Sequence, residues 1–74
     1  MAMNYAYAYA EIDAETNMCI SVRDDTENYT DEQLAAVNWI RIPVADPEYV
    51  FKFYINGNWY EDAEGTIPWT SSLL

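Results

Sequence analysis

The residues that could do chemistry in this chain are one thiol, thirteen carboxylates and a set of tyrosines and tryptophans; there is no histidine. Without histidine, the usual acid–base group at neutral pH is missing. Cys19 would need a base beside it to act as a nucleophile. It lies between Met18 and Ile20 in a β-prone stretch, which reads as a structural thiol. Carboxylates pair along the sequence at Glu11/Asp13, Asp24/Asp25, Asp31/Glu32 and Glu61/Asp62. Sugar hydrolysis needs two such groups opposed across a substrate cleft, and a domain this small has little volume for one. They read as surface charges. Asp13, Glu15 and Asn17 are spaced like the start of a calcium loop. Met18 stands where that loop needs glycine, and Asp24 where it needs the closing glutamate, so a hairpin turn is expected. The soft and borderline metal ligands are missing. The only glycines are Gly57 and Gly65, so there is no phosphate-cradling loop. Asn28-Tyr29-Thr30 has the glycosylation pattern but reads as a loop. These absences predict a protein that is not an enzyme and carries no metal or cofactor.

The formal net charge is −10, with Arg23, Arg41 and Lys52 the only cationic side chains. Such a balance argues against direct nucleic-acid binding, which needs a basic footprint, and against docking on an anionic membrane. It favours solubility and attraction to basic partners, although a solvated acidic face needs no partner at all. Aromatic residues make up 16% of the chain, whereas disordered acidic chains have few. A single folded domain spanning residues 1–74 is therefore expected, with a marginal core. One cysteine cannot form an internal disulfide, so self-association stays open as a source of stability. Met-Ala-Met-Asn lacks the positive charge of a secretory signal, and no apolar run reaches the roughly 18 residues of a membrane helix. A lone thiol fits a reducing cytosol. The expected location is the cytoplasm of a host cell or a virion.

Stepping along the chain, Tyr5 to Ile12 alternates with period two and predicts a strand, with Tyr5, Tyr7 and Tyr9 on one face. Ala6, Ala8, Ala10 and Ile12 form the other, small enough to sit against a helix. A polar turn, Asp13 to Asn17, leads to a second strand over Met18–Arg23, with Met18, Ile20 and Val22 on one face. Thr30 and Gln33 match a capping box, and Asp31 and Glu32 suit a helix's positive end. A short helix from Asp31 to about Asn38 follows, with Leu34 and Val37 facing one way; it must dock on the sheet to persist. Trp39 to Val44 predicts a strand, and Pro43 confines it to an edge. Asp46-Pro47 marks a turn. Tyr49 to Ile55, Asn56-Gly57 and the residues beyond predict a type I′ hairpin. Its register places Tyr54 opposite Trp59, Phe53 opposite Tyr60, and Lys52 opposite Glu61 as an ion pair. The fold class is α+β: a small, mainly antiparallel sheet of about four or five strands, with two hairpins and one short helix. Residues 66–74 form either a loose or docking tail or a segment packed back on the sheet.

Tyr9-Ala10-Glu11-Ile12-Asp13, Asn17-Met18-Cys19-Ile20 and Tyr54-Ile55-Asn56-Gly57-Asn58-Trp59 resemble small proteins of tailed bacteriophages and prophages that accompany tail or tail-fibre genes. The resemblance is confined to residues 9–20 and 54–59 and carries over no functional residue. It implies a structural or assembly protein acting through an aromatic, acidic surface on a protein partner or on itself. The alternative is an acidic, nucleic-acid-mimicking inhibitor of a basic host defence protein. A carbohydrate binder stacking sugars on Trp59, Trp39 and Tyr7 is a third reading. For a contact surface, Tyr5, Tyr7, Tyr9, Trp59 and Trp69 are the candidate residues, since interface cores are rich in aromatics.

Overall fold

A computed structural model describes residues 7–74; Tyr5 and Ala6, the start of the expected first strand, lie outside the described residues. Five strands form two antiparallel sheets with one helix, a small α+β domain. Strand β1 (Tyr7–Ile12) is central in the first sheet, between β2 (Cys19–Asp25) and β3 (Trp39–Ile42). Strands β4 (Phe53–Ile55) and β5 (Asn58–Tyr60) make the second. Asn56 and Gly57 turn between them at φ 50° and 84°, the positive values that a type I′ turn demands. Tyr54 faces Trp59 and Phe53 faces Tyr60, as the two-residue loop requires.

The two sheets are stitched into one bent ribbon. Met18 bridges Phe53, and the Cys19 amide donates to the Lys52 carbonyl while the Phe51 amide donates back to the Cys19 carbonyl, both at 2.8 Å. On the far side, Tyr60 bridges Pro68 and the Trp69 amide donates to the Trp59 carbonyl. Residues 67–69 thus extend the β4–β5 sheet. Trp69 is half-buried and Ser71 is buried, while Ile67, Leu73 and Leu74 remain exposed.

The core lies on the alanine face of β1. Ala10, Cys19, Ile42 and Tyr49 are buried together, flanked by Ala8, Ile12, Val22, Ile40, Trp59 and Trp69. Tyr49 meets the two tryptophans edge-on, with ring centroids 4.7 and 4.9 Å away, a favoured aromatic geometry. The alanine face therefore receives aromatic rings and not a helix, because only side chains as short as Ala8 and Ala10 leave room for them.

Helix α1 (Asp31–Val37) carries the full capping box: the Gln33 amide donates to Thr30 Oγ1, and the Thr30 amide donates to Gln33 Oε1. Asn38, left-handed at φ 57°, ends it. Leu34 is buried but Val37 is 48% exposed. Three residues advance a helix by roughly 300°, leaving the two side chains about 60° apart, and the helix stops before a further turn could cover the second.

Three other expectations fail locally. Ile12 pairs with Cys19 and Glu11 with Ser21, so Ile20 is the extra residue of a β-bulge. The alternation of Met18, Ile20 and Val22 is thereby broken: Cys19 turns inward and Ile20 is exposed. The strand expected over Tyr49–Ile55 begins only at Phe53. Pro47–Tyr49 forms a 3₁₀ turn capped by Asp46, whose carboxylate accepts from the Glu48 amide at 2.9 Å, and Phe51 has φ 76°. The expected Lys52–Glu61 pair is consequently absent: the ladder ends at Phe53–Tyr60, and Lys52 Nζ sits 5.0 Å above the Trp69 ring.

Asp46 is 3% exposed and also accepts from the Ser71 hydroxyl, tying the 3₁₀ turn to the last segment. Asp46→Ala strands both donors and is expected to cost about 1–3 kcal/mol, read as a lower midpoint in urea unfolding. Asp46→Asn keeps an acceptor and should cost less. An unchanged midpoint for the alanine variant would show that this buried link contributes nothing.

Candidate interaction surface

The tyrosine face of β1 does not present a flat patch. Tyr9 is fully buried, and its hydroxyl donates to the Glu27 carbonyl at 2.6 Å and accepts from the Tyr29 amide at 3.1 Å. It anchors the loop between β2 and α1. Tyr9, Tyr29 and Trp39 form a triad with centroids 5.4–6.1 Å apart. Tyr7, opposite Asp25 in the ladder, is half-buried, and Tyr5 lies outside the described residues. Trp59 and Trp69 are half-buried walls of the core around Tyr49. The three rings named for sugar stacking are not free platforms: Arg23 lies 4.2 Å over Trp39, Trp59 packs against Tyr49 and Tyr54, and Tyr7 is half covered.

All three cations are engaged internally. Arg23 and Lys52 sit over tryptophan rings, a cation–π arrangement. Arg41 reaches Asp31 Oδ1 at 2.6 Å and the Tyr29 carbonyl at 2.5 Å. Four aspartates close turns with their side chains: Asp13 accepts from the Glu15 amide, Asp25 from Glu27, Asp46 from Glu48, and Asp62 from Thr66 and Ile67. The Tyr29 hydroxyl, donating to Asp25 at 2.9 Å, holds that carboxyl below its usual range, and the same bond raises the tyrosine. The Thr66 hydroxyl does the same for Asp62, assisted by the Ile67 amide. Burial, then the nearby Asp46 charge, raises Tyr49. Among the described residues no three metal-ligating side chains gather.

What stands outward is different. Phe51 is 69% exposed and Ile20 45%. Each sits on a backbone irregularity, the left-handed φ of Phe51 and the β-bulge at Ile20. The two irregularities are neighbours, since the Phe51 amide donates to the carbonyl of Cys19. A left-handed conformation in a bulky residue is strained, and such strain concentrates at working sites. The composition pointed toward aromatic contact residues but away from this corner, because Tyr49 to Ile55 reads as uninterrupted strand.

The surface also holds open grooves, larger than expected for this length. One of about 460 Å³ runs beside α1, lined by Ile12, Leu34, Ala35, Ile40 and Tyr54 among others. A second, of about 490 Å³, lies at the β3 edge. Neither is enclosed, and neither has an opposed pair of carboxylates. Compared with known proteins, the chain matches no family model, no curated protein and no solved structure.

Two outcomes test this assignment of inner and outer residues. Cys19 is fully buried, and burial, with the Glu11 charge adding, pushes its thiol from 9.0 up to about 11. The native protein should resist iodoacetamide at pH 8 and react after unfolding. The folded state favours the neutral thiol, so its contribution is intact below pH 9 and fades as pH rises through about 11. Rapid native labelling would place Cys19 at the surface instead. Phe51→Asn, which puts a residue tolerant of positive φ at that position, should stabilise the fold by roughly 1 kcal/mol, raising the melting temperature by about 4–8 °C. A lower melting temperature would mean that the ring supports the fold.

Proposed function

We propose that this protein is a non-enzymatic contact protein that docks a basic partner protein onto the corner formed by Ile20 and Phe51. The single observation carrying this reading is Phe51: a large apolar ring open to water on a strained backbone. Burying such a ring in a partner's pocket releases it from water, and aromatic anchors of this kind dominate protein interfaces. The partner's charge follows from the surroundings. The three cationic side chains each have a partner within the molecule, and the net charge of −10 steers a basic surface toward it. The likeness of residues 9–20 and 54–59 to small proteins of tailed phages supports a setting in tail or virion assembly, in the host cytoplasm or on the particle. An acidic decoy for a nucleic-acid channel is supported less well, because Asp13, Asp25, Asp46 and Asp62 are committed to turns and do not form a phosphate-like stripe.

Placing the photo-cross-linker benzoylphenylalanine at position 51 and irradiating in bacterial host cells tests the reading. The expected result is a discrete adduct containing a basic protein, weakened when Ile20→Asp is added. The same probe at Val37, exposed on α1, gives the background. An adduct pattern at position 51 no different from that background would remove the proposal.

A further inference from the structure

The turn between β4 and β5 brings together the two groups of a reaction that needs no enzyme. Asn56 and Gly57 are both exposed, at φ 50° and 84°. The Gly57 amide nitrogen, once it yields its proton to base, can attack Cγ of the Asn56 side chain. Reach depends on the backbone. Closing the imide ring needs Asn56 ψ near about −120°, the value at the first central residue of a type II′ turn, whereas a type I′ turn sets it near about +30°. Turning over the peptide between residues 56 and 57 converts one turn into the other and leaves the strand ends in place. Gly57 takes φ of either sign without strain. Nothing lies within 4 Å of the Cβ position at Gly57, so the turn has room to move. The Asn56 carbonyl, which swings over with that peptide, accepts from Asn58 Nδ2 at 3.4 Å, a long bond and a weak restraint.

We infer that Asn56 is a site of self-modification, converting through a cyclic imide to aspartate and isoaspartate. A bond forms between the Gly57 nitrogen and Asn56 Cγ, the Cγ–Nδ2 bond breaks, and ammonia leaves. Water then opens the ring. Opening at Cγ leaves aspartate at position 56. Opening at the main-chain carbonyl leaves isoaspartate, whose backbone runs through Cγ and is one atom longer. Asn17, Asn28, Asn38 and Asn58 are exposed too, but Met18, Tyr29, Trp39 and Trp59 follow them, and each of these puts a side chain beside the attacking nitrogen. The two products differ in consequence. Aspartate before glycine also suits a type I′ turn, so the hairpin survives. Isoaspartate lengthens a two-residue loop that sets Tyr54 opposite Trp59. Trp59 packs on Tyr49 with centroids 4.7 Å apart, so the misfit reaches the core. This inference is independent of the Phe51 corner.

Incubating the native protein in mildly alkaline buffer and mapping its peptides by mass spectrometry tests it. The Asn56 amide should be lost ahead of the other four, with a more acidic band on isoelectric focusing and methyl uptake from a protein isoaspartyl methyltransferase. Gly57→Asp places a residue found at positive φ but crowds the nitrogen, and it should slow the loss at position 56 to the level of Asn58. Asn58→Ala releases the peptide and should speed the loss. The isoaspartate form, separated by chromatography, should melt below the native protein, whereas Asn56→Asp should melt with it. Far-UV circular dichroism checks that the variants stay folded. Loss at Asn56 no faster than at Asn28, an unchanged rate in either variant, or an isoaspartate form that melts with the native protein would each overturn the inference.

Discussion

The packing of Tyr49 against Trp59 and Trp69 ties the β4–β5 sheet to the core on the alanine face of β1. A chain of this length has little apolar mass to spend. It solves the problem by placing alanines on the inner face of the central strand and aromatic rings opposite them. Each ring buries more area than a single aliphatic side chain, about 150–250 Å², and the small face leaves room for it. Replacing Ala10, which is fully buried, with a larger residue would overpack this core. The 3₁₀ turn serves the same end. Pro47 and the Asp46 cap fold the chain back so that Tyr49 points inward, where a continuous strand would have carried it past the core.

Charge is arranged in layers around this packing. The three cations lie flat on the molecule, over Trp39, over Trp69 and against Asp31. Aspartates at the turns accept backbone amides that would otherwise be bonded only to water. Those side chains shape loops, and the acidic exterior is in part a by-product of how the turns are built. The glutamates have no such recurring role.

Much of this was legible in advance where local rules dominate. The capping box at Thr30 and Gln33, the Asn56-Gly57 turn with its register, and the edge position of β3 next to Pro43 each rest on residues close in sequence. What was not legible depends on contacts between distant segments. The bulge at Ile20 accompanies the burial of Cys19 and the backbone bonds Cys19 exchanges with Phe51 and Lys52. Tyr49 looked like the start of a strand because its β propensity is high, but capping by Asp46 and packing by two tryptophans overrode it. Alternation alone suggests Tyr7 and Tyr9 as a patch, but it sets the face of a strand and not what covers it. Here the loop carrying Tyr29 covers Tyr9.

The corner at Ile20 and Phe51 admits a purely architectural explanation, and it falls short in one respect. A ribbon bending from one sheet into the next needs a bulge and a residue of positive φ to turn. That requirement concerns the backbone. Glycine or asparagine at position 51 meets it with less strain, and the chain uses asparagine at positive φ elsewhere, at Asn17, Asn38 and Asn56. A polar residue at position 20 would likewise meet the bulge without exposing apolar surface. The bend therefore accounts for the geometry of the corner but not for an isoleucine and a phenylalanine placed on it, and the excess apolar surface is what a partner would cover.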